Sequence, residues 1–145
     1  MDDERTLVLV KPDAVERNLV GPIIKHFERT GIYVRAIKMM KLDRQTAYAF
    51  YAEHKDKSFY EELVDYMTSG PIVAMIIEGR NSVRKVRELI GNTNPKDAEA
   101  GTIRKMYATS KQKNAVHASD SLIHAEKEME YIFQLPEHAT GTQVA

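Results

Sequence analysis

Pro71-Ile-Val-Ala-Met-Ile-Ile77 is apolar without a break, and this short uniform run constrains the fold more than any other feature of the chain. It lacks the alternation of a half-exposed strand and predicts a central one. Thr6-Leu-Val-Leu-Val10 reads as a second buried strand, stopped by Lys11-Pro12-Asp13. Tyr33 to Met40 has strand composition, and Ala115-Val116 marks a short final strand. Helical patterns fill the intervals. One starts at about Val20, with Pro22 near its first turn, Ile23, Ile24 and Phe27 facing inward, and Gly31 at its end. Asp43 is a good N-cap for a helix carrying Ala47, Phe50 and Tyr51, and Ser58-Phe-Tyr-Glu61 has the form of a capping box. Val83 to Ile90 is helical and closes at Gly91, while Leu122, Ala125, Met129, Ile132 and Phe133 mark a closing helix.

The resulting order is β, α, β, two helices, β, α, a long loop, β, α. Helices packed on one face of a small, mostly antiparallel sheet fit it best. The reading is of one domain over residues 1–145, with an irregular tail from Gln134 to Ala145. Asn92 to Lys113 is long, polar and weakly periodic. A structureless loop of about twenty residues is uncommon in a compact domain and usually functional.

With 43% apolar and 29% charged residues, the chain is globular rather than disordered. Its 21 basic and 21 acidic residues balance, which removes global support for nucleic-acid binding, although a basic, acid-free segment runs from Arg104 through Lys105 and Lys111 to Lys113. There are no cysteines, so neither disulfides nor thiolate metal sites are available. The acidic start Met1-Asp2-Asp3-Glu4 lacks the apolar core of a signal peptide, and no apolar run approaches the ~18 residues of a membrane span. The expectation is a soluble, cytoplasmic protein.

Several residues break their local pattern. His117 stands at the end of a short apolar run, where a helix is expected to begin, and the N–H groups of a helix start favour an anion. Phe59 falls off the stripe formed by Tyr60, Leu63, Val64 and Met67, as a ring kept for stacking on a nucleobase would. Arg87 shares the i, i+3, i+4, i+7 positions of Val83, Val86 and Ile90, which predicts a guanidinium on a buried stripe. Lys11 continues the phase of Leu7 and Leu9 at the carboxyl end of its strand. Singly, each has an ordinary structural explanation. With Thr93, Arg104 and Asn114 they compose a nucleotide site: forked and point cations for phosphate, a ring for the base, and a placed imidazole. No G-x-x-x-x-G-K-[ST] loop is present, so phosphoryl transfer would need another device, and a histidine nucleophile is the economical one. His26, His54, His124 and His138 show no paired metal-ligand spacing, and no zinc is expected. For His54 a surface or satisfied structural role is expected.

These blocks resemble the nucleoside diphosphate kinases from about Thr6 to Phe133. The resemblance is carried by Thr6-Leu-Val-Leu-Val-Lys-Pro-Asp-Ala-Val15, Phe59 to Pro71, Gly91-Asn-Thr-Asn-Pro95 with Gly101-Thr-Ile-Arg104, and Asn114-Ala-Val-His-Ala-Ser-Asp-Ser121. It implies a ferredoxin-like α/β sandwich with a four-stranded antiparallel sheet. The implied reaction moves the γ-phosphate between nucleotides by a ping-pong route through phosphohistidine, maintaining nucleoside triphosphate pools. His117 would carry the phosphoryl group on Nδ1, and Glu128 would fix the tautomer. Ser119 would support both. Lys11, Tyr51, Arg87, Thr93, Arg104 and Asn114 would surround phosphates and sugar, with Phe59 on the base. Mg²⁺ would arrive on the nucleotide rather than in a protein cage. Nucleoside di- and triphosphates are the implied partners, with assembly into hexamers or tetramers; no membrane is expected, and nucleic-acid binding, motivated by the basic run from Arg104 to Lys113, is a third reading that the neutral overall charge argues against. A non-catalytic nucleotide-binding module is the alternative. The chain departs from the family at Ala100, where proline is common, and at Lys105-Met106, where Gly-Asp is usual. Both departures fall on the long loop.

Overall fold

The computed structural model describes residues 3–134. Four strands, β1 (Glu4–Val10), β2 (Tyr33–Met40), β3 (Ile72–Gly79) and β4 (Val116–Ala118), form one sheet in the order β2-β3-β1-β4. All three pairings are antiparallel. The α-helices are α1 (Pro12–Glu16), α2 (Val20–Glu28), α3 (Arg44–Phe50), α4 (Tyr60–Met67), α5 (Ser82–Ile90), α6 (Ile103–Tyr107) and α7 (Leu122–Phe133). Short 3₁₀ turns occupy Ala52–His54 and Pro95–Asp97. This is the ferredoxin-like sandwich, with α2 and α5 inside the two βαβ-type crossovers.

Helices cover both faces of the sheet, which corrects the expectation of a single covered face. Val8 and Val10 of β1 and Val73, Met75 and Ile77 of β3 pack with Ile23 and Phe27 of α2 and Val86 and Ile90 of α5. Leu7, Leu9, Ile72 and Ala74 point the other way, onto Ala47 of α3, Leu63, Val64 and Met67 of α4, and Ile132 of α7. Strands apolar on both alternating faces require two covers, and that is why β1 and β3 read as continuous apolar runs.

Local signals meet their expectations unevenly. The Asp43 carboxylate accepts from the Thr46 N–H at 2.7 Å, as an N-cap should. The capping box at Ser58 does not form: α4 starts at Tyr60 after an uncapped Phe59, and Glu61 instead accepts from Arg44 and Tyr48. On α7, Ala125 and Ile132 are buried but Leu122 is exposed. The segment from Asn92 to Lys113 is not structureless. Thr102 caps α6, Ile103 enters the core, and Gly91 (φ +87°) takes a left-handed turn against Thr102. A Cβ at Gly91 would stand 2.6 Å from the Thr102 hydroxyl, so only glycine lets α5 end there. The expected irregular tail lies, after Gln134, outside the described residues.

Candidate active site

Register places the central residue. His117 lies within β4, directly opposite Leu9 of β1, so both side chains leave the same sheet face, under α3 and α7. The histidine is therefore a strand residue, and α7 begins only after Ser121, whose hydroxyl accepts from His124 N–H. A helix start immediately after His117 is not observed.

His117 Nε2 lies 2.9 Å from Glu128 Oε1, and the Ser119 hydroxyl donates to that same oxygen at 2.7 Å. An ionised carboxylate only accepts, so Nε2 carries the hydrogen and the lone pair stands on Nδ1. Burial opposes ionisation of Glu128, but the hydrogen bond from His117, its charge and the Ser119 hydroxyl outweigh burial and hold the carboxyl below its usual range. The imidazole is further fixed edge-on by Phe50 (5.3 Å between ring centroids) and Tyr51 (6.0 Å). Its side chain is 19% exposed, enough for a ligand to reach Nδ1.

Beside it is a cationic corner. Lys11 is 7% exposed, and its ammonium donates to Asn114 Oδ1 at 2.8 Å. Asn114 in turn donates to the Thr93 carbonyl at 3.2 Å. Burial, followed by the charge of Arg104, brings Lys11 down to about 8, against a smaller opposing effect of Asp13. Arg104, 4% exposed, donates to the carbonyls of Gly91 (3.0 Å) and Val116 (2.9 Å), and its Nε is buried without a partner among the described residues. Burial and then Arg87 lower Arg104 to about 10. Ala115, between Asn114 and β4, takes φ +73° while its carbonyl accepts from the Lys11 N–H at 2.8 Å. A positive φ at alanine costs roughly 1 kcal/mol, a strain stored between the lysine and the histidine.

Arg87 requires a correction. It is exposed, and the buried side of α5 runs through Ser82, Val86 and Ile90. The stripe holds at Val86 and Ile90, but its buried side turns toward Ser82 rather than toward Val83 and Arg87, and the guanidinium reaches the Ala118 carbonyl at 3.2 Å beside the site. Thr93 is also exposed. Phe59 is 44% exposed and faces His54 at 5.6 Å, with the Lys57 ammonium over its ring. Tyr51 is buried, its hydroxyl without a partner among the described residues, and burial followed by Glu128 pushes its phenol strongly upward.

Two residues of this arrangement had no assigned role. Phe50 was visible only as a helix position. His54, expected in a surface or satisfied structural role, has a 28% exposed side chain and lies between Tyr51 and Phe59, and its buried Nδ1 has no partner among the described residues. A histidine three residues on from Tyr51 and an off-core aromatic eight residues on were the available signal.

Comparison with known proteins identifies the family. The family profile described as nucleoside diphosphate kinase matches residues 4–138. A nucleoside diphosphate kinase from Sulfurisphaera tokodaii is 53% identical over 97% of this chain and 95% of its own length. The crystal structure of the Aquifex aeolicus nucleoside diphosphate kinase aligns with TM-score 0.88 at 42% identity, covering 90% of this chain and 95% of that one. A Halobacterium salinarum nucleoside diphosphate kinase in complex with CDP aligns with TM-score 0.88 at 42% identity, over 93% of this chain and 90% of that one. A ferredoxin-like sheet that presents an imidazole between a tautomer-fixing carboxylate and buried cations, matched by kin along nearly its whole length, places the chain in the nucleoside diphosphate kinase family.

Proposed function

We propose that this chain transfers the γ-phosphate of a nucleoside triphosphate to a nucleoside diphosphate through a phosphohistidine at His117, maintaining nucleoside triphosphate pools. The observation that carries this reading is the Ser119–Glu128–His117 arrangement, which leaves Nδ1 as the free nucleophilic atom. In the first step Nδ1 attacks the γ-phosphorus. An N–P bond forms, the bond from phosphorus to the β,γ-bridging oxygen breaks, and the diphosphate departs with that electron pair. In the second step a terminal oxygen of another diphosphate attacks the same phosphorus, and the N–P electrons return to the ring.

Glu128 serves as the orienting acceptor throughout and stabilises the positive charge of the phosphorylated ring. Lys11, Arg87, Arg104, Thr93 and Asn114 supply charge and donors to the phosphates and Tyr51 closes the sugar side. Their support is position: Lys11 and Arg104 are already buried and oriented before any ligand arrives. Phe59, exposed at the mouth, stacks on the base, which predicts broad base tolerance. The CDP-bound halobacterial relative supports nucleotides as ligands.

The phosphate-facing donors are cations and neutral groups, a set suited to phosphate oxygens rather than to a divalent ion. Mg²⁺ therefore belongs on the nucleotide, where it would neutralise phosphate charge. Homo-oligomerisation, as a hexamer or tetramer, is part of the proposal and is supported by exposed Tyr33, Ile37 and Met39 on the edge strand β2. A cytoplasmic setting is proposed with it; no helix among the described residues is long and apolar enough to cross a membrane.

The test is intact mass after incubation with Mg·ATP, then after addition of a different diphosphate. One phosphoryl group gained and then removed is expected. A protein that bound nucleotide without gaining that mass, or a His117→Ala variant with normal turnover, would overturn the proposal in favour of a non-catalytic binding module.

A further inference from the structure

Asp13 and Tyr66 take no part in the transfer steps, yet they are joined twice. The Asp13 N–H donates to the Tyr66 hydroxyl at 3.0 Å, and that hydroxyl donates to Asp13 Oδ1. Asp13 lies in the first turn of α1, where a backbone N–H has no partner within the helix, and Tyr66 supplies one. Lys11 is bonded into the same turn: its carbonyl accepts from the Ala14 N–H at 3.0 Å and the Val15 N–H at 3.1 Å. Whatever holds α1 therefore holds Lys11. At the other end of the tie, Phe59 is bonded into α4, its carbonyl accepting from the Leu63 N–H at 2.9 Å. Leu63, Val64 and Met67 anchor that helix in the core, and Tyr66 stands in its last turn. One short helix thus carries Phe59 at its start and the partner of Asp13 at its end.

Stability alone does not explain the pair. Asp13 is 8% exposed, and its Oδ2 is buried with no partner among the described residues. A buried carboxylate with one oxygen unsatisfied is costly, and an apolar contact between α1 and α4 would hold them without that cost. Burial, then the bond to Asp13, pushes the Tyr66 phenol strongly upward, so its hydrogen stays available to the carboxylate. The charge of Asp13 also offsets part of the fall in Lys11, which puts the carboxylate within electrostatic reach of that ammonium.

We infer that the Asp13–Tyr66 pair is a positioning device for nucleotide binding: it fixes the helix that carries Phe59 against the turn that carries Lys11, and so sets the span between base and phosphates. The inference rests on the phosphohistidine reading above. Removing the tie leaves both walls in place but lets their separation drift, so a nucleotide that spans them loses alignment.

The experiment measures the second-order rate of phosphoenzyme formation from Mg·ATP by rapid quench. Tyr66→Phe, which removes only the hydroxyl, is compared with wild type and again in a Phe59→Ala background. With Phe59 present the rate is expected to fall about fivefold, the size of one hydrogen bond. In the Phe59→Ala background the same substitution is expected to change it by less than about twofold, because the base no longer anchors the second end. An equal loss in both backgrounds overturns the inference, since a tie that merely stabilises α1 or Lys11 acts without regard to Phe59. No loss in either background overturns it as well, and a lowered Tm beside it marks the pair as structural only. Failure of the wild type itself to take up phosphate brings down the functional reading instead, and this inference with it.

Discussion

The two sides of the His117 cleft are built differently. On one, Lys11, Asn114 and Arg104 are buried and held by hydrogen bonds to one another's segments. On the other, Phe59 is 44% exposed, stands before an uncapped helix start, and touches only His54 and the Lys57 ammonium among the ring contacts described. The buried corner bears a desolvation cost in the resting protein, and under the proposed function its charges would need no rearrangement when phosphate arrives. The exposed side bears none, and under the proposed function a ring placed there would stack on any flat base. The proposal thus sets the buried charges where the chemistry is invariant and the exposed ring where the substrate varies.

The largest effect separating the two sides is expected from Arg104→Ala. It removes a phosphate-facing cation and strips the Gly91 and Val116 carbonyls of their donor, so kcat/KM should fall by about 10²–10³-fold and stability by roughly 2–4 kcal/mol. Steady-state kinetics and thermal unfolding measure both, and an Arg104→Ala protein with wild-type Tm would break the view that this corner is structurally built in. Next comes Lys11→Met, which keeps the stem and discards the charge. A similar kinetic loss of about 10²-fold should appear with Tm unchanged or raised, because the variant no longer buries an ammonium. A large drop in Tm would instead make Lys11 a structural residue.

A pH series sharpens the same point without mutation. Lys11 sits at about 8, so it is protonated below that pH and neutral above. Nucleotide affinity should be fully developed on the acid side and weaken as pH rises through about 8. Bound phosphate favours the ammonium, so binding above that pH should take up a proton, seen by calorimetry in buffers of different ionisation enthalpy. Affinity flat from pH 7 to about 9.5 would deny Lys11 its place on the phosphates. The smallest effect belongs to Phe59→Ala: KM raised about five- to tenfold for purine and pyrimidine nucleotides alike, with kcat nearly intact. A strongly base-dependent change would show that the exposed wall reads sequence rather than ring face.

Much of the framework was legible because strands and helices obey short-range rules. The continuous apolar runs at Leu7–Val10 and Ile72–Ile77 locate β1 and β3, and Asp43 caps its helix as its chemistry demands. Those same runs already implied two covered faces, and the one-sided packing expected from element order ignored this. Arg87 misled because one residue is 100° of helix, so a stripe read through Val83 instead of Ser82 turns an exposed guanidinium inward. The helix inside Asn92–Lys113 was missed because α6 is short and polar, with stability from the Thr102 cap and the burial of Ile103 rather than from periodicity.

Within the site, His117, Lys11, Arg87 and Phe59 stood out from their own neighbours in the chain, and the family resemblance suggested the rest. Glu128 carries no local mark: it is a glutamate among the charged residues of a helix, and becomes the partner of His117 only because α7 folds back across β4. His54 and Phe50 likewise gain meaning only from the rings they meet. The sequence by itself determined the strands, the longer helices, their order and the chemical kinds of residue available, since periodicity, caps and turn residues act over a few positions, while the short helices α1 and α6 escaped it. The distances between an imidazole, a carboxylate and two buried cations were decided by tertiary structure alone, because strand register and helix crossing join residues that covalent order keeps far apart.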